Sequence, residues 1–261
     1  MLAPERQDRI LELLRRDKAV TVSELSVTLD VSEMTIRRDL LKLEEAGMLK
    51  RTFGGAVPTS NFSTLRLSFA EKEAVYAEEK RCIGSVAASL IENGETIAFG
   101  AGTTTSQVMR HIGEVEHLTV VTNAINIAME LTNRPNINLI VIGGSLREQS
   151  FSLVGSFGET ILAQIHINKF FLGVTGISIE HGFTTMHLSE ASRYQAMIKA
   201  AEETIVVADH SKFGRVTLAP VAGMREVTKI ITDPGIPAEY LQKLRESGIE
   251  VIIVEPQAHG E

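Results

Sequence analysis

The chain has 261 residues, 44% hydrophobic and 23% charged, a globular composition with room for one large domain or two smaller ones. A net charge of −7 argues against a broadly basic nucleic-acid binder, and a single cysteine, Cys82, excludes a disulfide framework and a cysteine-rich zinc site. No apolar run approaches the roughly 20 residues of a membrane helix. Ile10 to Leu14 is broken by Glu12 and followed by Arg15-Arg16, unlike a secretory signal, so a reducing cytoplasm and no membrane partner are expected.

Residues 1–57 hold ten Lys/Arg and ten Asp/Glu, whereas residues 58–261 hold 16 and 23, so all the excess acidity lies in the larger part. A neutral segment that clusters its cations can bind an anion locally, while an acidic one is held off nucleic acid. Two domains with different jobs are expected: 1–57, then a linker over 58–75, then 76–261.

Ile10, Leu11, Leu13 and Leu14 recur at helical spacing between Arg6 and Arg16. Thr21-Val-Ser-Glu24 is a capping-box pattern that opens a second helix with Leu25 and Leu29 on one face, and Asp30-Val31 ends it. Ser32 is the N-cap of a third helix running to about Ala46, with Gly47 as its stop. Two short helices joined by a tight turn form the helix-turn-helix pattern. On the third helix Ile36, Leu40 and Leu43 share the buried stripe, while Met34, Thr35, Arg38 and Lys42 lie opposite and Arg37 flanks them. Thr35 and Arg38 are placed to read base edges, since Arg can fork onto guanine, or else this face is a solvated basic surface. Asp39, at the edge of the apolar stripe, is read as an orienting partner for an arginine. Residues 48–57 then read as strand, glycine turn and strand, a wing with Lys50 and Arg51 at its base and Gly54-Gly55 at its turn, suited to clamp phosphate.

These residues resemble the winged helix-turn-helix of the DeoR family of bacterial transcriptional regulators. The resemblance rests on Arg6, Ile10 and Leu14, on the block Ser32, Thr35, Ile36, Arg37, Arg38, Asp39 and Leu40, and on Arg51-Thr52-Phe53-Gly54-Gly55-Ala56, where Phe53 replaces the family's histidine. It implies a double-stranded DNA operator as partner, with Ser32, Met34, Thr35, Arg37, Arg38, Lys42, Lys50, Arg51 and Gly54 as the DNA-contacting set.

Pro58 to Thr64 is polar and turn-forming, as a domain boundary should be. Residues 65–79 are charged and partly helical, and 80–91 are helical by apolar spacing. Apolar, β-branched runs at 96–99, 118–122, 138–142, 169–174, 204–208, 229–232 and 250–254 then alternate with helical stretches near 104–112, 124–133, 157–165, 189–202 and 238–247. That alternation predicts a mainly parallel α/β sheet covered on both faces, with ligands bound beyond the carboxyl ends of its strands. No internal repeat or low-complexity tract interrupts it.

The loops after the strands carry the chemistry. Gly100-Ala-Gly102-Thr103-Thr104-Thr105 exposes backbone N–H groups and hydroxyls at a helix start, either a phosphate cradle or an ordinary threonine-capped turn. It lacks the Walker lysine and the third glycine of a dinucleotide fingerprint, so ATP and NAD fit poorly and no cofactor is expected. Asn123, Gly143-Gly144 and the Asp209-to-Lys212 segment follow other strands and converge on the same edge. Glu190 opens a helix, as a helix-dipole carboxylate or as a ligand contact. The histidines at 111, 117, 166, 181, 187 and 210 show no metal-ligand spacing.

This half also resembles the DeoR sensor domain, which is similar to ribose-5-phosphate isomerase and glucosamine-6-phosphate deaminase. The resemblance assigns a phosphorylated sugar to Gly102, Thr103, Thr104, Thr105, Asn123, Gly143, Gly144, Glu190 and Lys212; Gly155 and Gly176 match as well. Glu190 resembles the isomerase carboxylate that moves a proton. Two acids of the family pattern are absent: Gly100 and Thr175 stand where the family has aspartate. Aldose–ketose isomerisation needs positioned carboxylates, so the expectation is a homo-oligomeric, ligand-controlled repressor of a carbohydrate operon and not an enzyme. The alternatives are a sugar-phosphate isomerase or deaminase with a fused regulatory domain, and an architectural DNA-binding protein whose α/β domain only oligomerises.

Overall fold

The computed structural model describes residues 3–17, 19–45, 48–57 and 68–255. The N-terminal part consists of α1 (Ala3–Asp17), β1 (Val20–Thr21), α2 (Val22–Leu29), α3 (Glu33–Glu45), β2 (Lys50–Thr52) and β3 (Gly55–Val57). The capping box forms as expected: the Thr21 hydroxyl accepts the Glu24 amide (3.2 Å) and the Glu24 carboxylate accepts the Thr21 amide (3.1 Å). Asp30 ends α2 in the left-handed conformation (φ 51°). Gly47, the expected stop of α3, lies outside the described residues.

The three strands pair antiparallel in the order β1-β3-β2. A Cβ at Gly55 would lie 1.9 Å from the Val20 carbonyl oxygen, so only glycine lets β3 close on β1. Ile10, Leu11, Leu14, Leu25, Leu29, Ile36, Leu40 and Leu43 form the core. Asp39 is buried with them, and the Arg6 Nε (2.6 Å) and Gln7 Nε2 (3.0 Å) of α1 both donate to its carboxylate. This is the arginine partnership that its position at the edge of the stripe implied, and it ties the third helix to the first.

The larger part begins with α4 (Phe69–Ala74) and α5 (Ala77–Ala88), then β4 (Thr96–Phe99), α6 (Thr103–Arg110), β5 (Leu118–Thr122), α7 (Ile125–Leu131) and β6 (Ile137–Val141). A hairpin of β7 (Ser145–Arg147) and β8 (Ser152–Val154) follows, then α8 (Glu159–Leu162), β9 (Ile167–Leu172), β10 (Gly176–Ser178) and β11 (Gly182–Thr185). The chain ends with α9 (Leu188–Ala200), β12 (Ala201–Val207), β13 (Ala219–Ala222), β14 (Lys229–Thr232), α10 (Ala238–Glu246) and β15 (Glu250–Ile253). Seven strands form one parallel sheet in the order β15-β14-β12-β9-β4-β5-β6. Alternate residues of each strand serve opposite faces, as the pleat requires. Ala98, Phe170, Leu172 and Val206 pack under α9, while Ile97, Phe99, Phe171 and Ile205 pack under α5 and α6.

Three features depart from the sequence expectation. The β7–β8 hairpin and a small antiparallel sheet, β10-β11-β13, occupy segments that carry no strong strand pattern. The expected helix near 157–165 is reduced to a 3₁₀ turn and the single turn of α8. Residues 58–67 of the expected linker lie outside the described residues; within the stretch expected to be partly helical, Phe69 to Ala74 forms a helix opened by a Ser68–Glu71 capping box. Among the described residues no helix is long and apolar enough to cross a membrane.

Candidate functional site

The exposed face of α3 carries Met34, Arg37, Arg38 and Lys42, with Thr35 half-buried at its first turn. The Ser32 hydroxyl accepts the Thr35 amide (3.3 Å) and shares a hydrogen bond with the Thr35 hydroxyl (2.9 Å), so Ser32 works as a helix cap. Arg37 pairs along the helix with Glu33 (3.2 Å), an exposed bridge that nucleic acid can displace at little cost. Lys50, Arg51 and Gly54 are exposed on the wing. Glu44 accepts the Arg51 amide (2.7 Å), and the Gly54 carbonyl accepts the Val22 amide (2.8 Å), which sets the wing beside α3. Phe53 at the tip is fully exposed.

In the α/β part, strand order reverses between β4 and β9, so the loops that leave their carboxyl ends part and open a crevice, the usual place for a ligand in such sheets. A cavity of about 520 Å³ opens there. Gly102, Thr103 and Thr104 line it from the loop after β4, Gly173 to Thr175 from the loop after β9, and Val207, Ser211 and Lys212 from the end of β12. The Gly102 carbonyl accepts from the Thr105 and Ser106 hydroxyls (both 2.9 Å), which fixes the loop at the amino end of α6. The first amides of α6 have no carbonyl one turn back, and together with the helix dipole they favour an anion.

Lys212, Lys80 and Arg215 add cationic side chains to the wall. Lys212 Nζ is 3.3 Å from the buried Asp209 carboxylate. Burial works to raise the Asp209 carboxyl, but Lys212, the Ser211 hydroxyl and Lys80 outweigh it and hold it below its usual range. Lys80 donates to the backbone carbonyls of Lys72 and Val75 at the end of α4. Burial, chiefly, lowers its pKa to about 8; Asp209 works against the shift and Lys212 with it.

Glu190 also faces the cavity. Its Oε1 accepts from Ser150 (2.6 Å) and Ser152 (2.8 Å), and its Oε2 accepts from Thr185 (3.3 Å). Tyr194, one helical turn on, donates to the Ala101 carbonyl (3.2 Å).

Four of the expected ligand residues do not line the cavity. Thr105 is fully buried and spends its hydroxyl on Gly102. Asn123 is fully buried, and its side-chain amide holds the Leu153 carbonyl (3.1 Å). Gly144 is the close-approach residue of the hairpin, where a Cβ would meet the Val154 carbonyl oxygen at 2.2 Å. Gly143 gives its carbonyl to Arg193, which also holds the Gly155 carbonyl (2.6 Å). These residues shape the site from behind.

Lys80, Ser150, Phe151, Thr185, Tyr194 and Arg215 line the cavity as well, although the sequence did not single them out. Lys80 had a readable signal: it shares helical spacing with Ile83, Gly84 and Ala87 on the buried face of α5. Ser150 and Phe151 come from a hairpin whose position no local pattern announces. Among the described residues no group of three His, Cys, Asp or Glu side chains is placed to hold a metal.

The model of the DeoR-like helix-turn-helix domain matches residues 6–62, and that of the DeoR C-terminal sensor domain matches residues 76–234. The chain belongs to the DeoR family. Among its relatives, a putative aga operon transcriptional repressor of Escherichia coli O157:H7 is 37% identical over 96% of this chain and 93% of its own length. The transcriptional regulator GolR of Listeria innocua is 34% identical over 96% and 98%, and the transcriptional repressor GlcR of Bacillus subtilis is 34% identical over 98% of both. Ribose 5-phosphate isomerase A of Methanocaldococcus jannaschii overlaps 51% of this chain and 53% of its own at 17% identity, with a TM-score of 0.38, too slight an overlap to carry an argument. As a DeoR-family protein, the chain is a transcriptional regulator with a DNA-reading head and a sensor domain.

Proposed function

We propose that this regulator represses a carbohydrate catabolic operon, binding its operator from the cytoplasm as a homo-oligomer, and that a phosphorylated sugar in the cavity controls the binding. Thr35 and Arg38 read base edges, Arg37, Lys42, Lys50 and Arg51 hold phosphates, and Ser32, Met34 and Gly54 shape the contact. The phosphate of the effector lies against the Thr103–Thr104 amides, Lys212 and Lys80, and its sugar reaches Glu190. The names of the relatives support repression of a sugar operon.

One observation carries the link between the two sites. Met186 lines the cavity, yet it is buried in the apolar cluster of the winged helix, with Leu218 packed beside it. It stands between Thr185, which bonds Glu190, and His187, which bonds Arg147 (2.7 Å). A sugar that moves this turn moves a residue of the DNA-binding core. Control requires that the effector bind one arrangement of head and sensor better than the other, since equal affinity shifts nothing.

The test is a thermal shift of the full chain with ribose 5-phosphate, glucose 6-phosphate, fructose 6-phosphate, glucosamine 6-phosphate and glycerol 3-phosphate. A binder at about 100 times its Kd stabilises the fold by about 2.7 kcal/mol. That is a rise of about 5–10 °C for a sensor domain of this size. No rise with any of them would leave an α/β domain that only oligomerises.

Glu190 in the cavity wall favours one second reading, an isomerase or deaminase. Against it, three hydroxyls already occupy the carboxylate, and Gly100 and Thr175 supply no second acid. Turnover of any of these sugars that is lost in Glu190→Gln would establish the enzyme.

A further inference from the structure

Tyr194, Phe69 and Phe151 give the cavity three aromatic walls. Tyr194 lies under the first loop: a Cβ at Gly100 would sit 3.0 Å from its ring, so the ring takes the space that a side chain at 100 would fill. Its hydroxyl is committed to the Ala101 carbonyl, which leaves an apolar ring face in place of a hydroxyl reader.

Phe69 on α4 and Phe151 in the β7–β8 turn meet edge to face, with centroids 5.2 Å apart and planes at 60°. Phe151 is held at φ 53°, a left-handed conformation that a bulky side chain adopts only at a cost of about 1–3 kcal/mol. The Phe151 carbonyl accepts the Ile125 amide (2.9 Å), which secures that backbone, and the residue is still 38% exposed. The fold therefore bears strain to present an aromatic ring to the cavity instead of burying it.

The Glu190 carboxylate is largely spent within the protein. A carboxylate offers about four lone-pair positions, and on Glu190 three already receive hydroxyls. An open-chain sugar phosphate spreads hydroxyls over its whole length and presents no continuous C–H face to an aromatic wall. A closed ring gathers C–H groups on one face, where their positive edge suits the negative face of an aromatic ring.

We propose that the cavity takes its phosphorylated sugar in the ring-closed form, with a C–H face against Phe151 and Phe69. This rests on the reading of the cavity as a phosphorylated-sugar site. The test is calorimetric titration of the full chain with two rings that cannot open, 1,5-anhydroglucitol 6-phosphate and 2,5-anhydromannitol 6-phosphate, against glucitol 6-phosphate, which cannot close. Inorganic phosphate serves as the probe of the anion end.

At least one locked ring is expected to bind tenfold or more tighter than glucitol 6-phosphate. Phe151→Leu, and independently Phe69→Leu, should cut that preference at least fivefold while leaving inorganic phosphate binding unchanged. Equal or tighter binding of glucitol 6-phosphate overturns the inference, as does a preference that survives both variants. Binding of inorganic phosphate without either ring overturns the inference alone. No binding of any of the four compounds removes the phosphorylated-sugar reading, and the inference with it.

Discussion

Replacing Asp39 with alanine should unfold the DNA-binding head and leave the sensor domain intact. The Asp39 side chain is 3% exposed and that of Arg6 11%, with Nε and Oδ2 2.6 Å apart and Gln7 donating to the other oxygen. Removing the carboxylate takes from the Arg6 guanidinium and the Gln7 amide the acceptor they share in a nearly dry site, and breaking a buried pair in this way costs about 3–5 kcal/mol. A domain of fewer than about 70 residues rarely holds more than about 3–5 kcal/mol in all. At about 4–8 °C per kcal/mol for so small a unit, the head transition should fall by at least about 12 °C. Calorimetry of the full chain reads this directly, with the sensor transition as the internal reference and loss of DNA binding as the second readout. The double change Arg6→Met with Asp39→Leu should recover most of the loss, because apolar replacement of a buried pair is close to neutral. A head transition in Asp39→Ala within about 4 °C of the wild type, under about 1 kcal/mol, would refute the reasoning.

Three other outcomes are expected. Arg38→Ala should cost about 1–3 kcal/mol on the operator and relax preference at one base position, read by competition against single-base variants; equal weakening on random DNA would remove its base-reading role. Lys80 is charged below about pH 8 and neutral above it, so phosphate affinity should fall as pH rises through 8, and Lys80→Arg should abolish that step. The unfolded chain keeps this proton up to 10.5, so the contribution of Lys80 to stability should rise between about 8 and 10.5; constant phosphate affinity to pH 9.5 would contradict the assignment. Met186→Ala should keep effector binding within threefold of the wild type while cutting the effect of effector on operator affinity at least tenfold, and an unchanged effect would break the proposed link.

The head was legible because local rules decide it. The capping box at Thr21, the apolar stripe of Ile36, Leu40 and Leu43 and the glycine pair of the wing each act within a few residues. The parallel sheet was legible for the same reason: its strands are apolar runs between helical stretches. What the sequence hid is set by long-range packing. The β7–β8 hairpin has strands of only three residues, too short to show an alternating pattern, and its role appears only where Ser150 and Ser152 meet Glu190, about 40 positions on. Asn123, Gly143 and Gly144 looked like ligand groups because polar and glycine residues after a strand serve equally to bind and to brace. Their partners, Leu153, Arg193 and Val154, decide for bracing. Lys80 is the opposite case, a charge at the head of an apolar stripe whose burial depends on the carbonyls of Lys72 and Val75 that receive it.

The most direct measurement is operator affinity with and without the phosphorylated sugar that stabilises the chain most, on DNA selected from random sequence, in the wild type and in Lys212→Ala. A wild-type affinity that falls at least tenfold with the sugar, together with a variant that binds the operator normally and ignores the sugar, is the expected result. A wild-type affinity indifferent to a sugar that binds the cavity, or a variant that still responds in full, would contradict control of the DNA-binding head from this site.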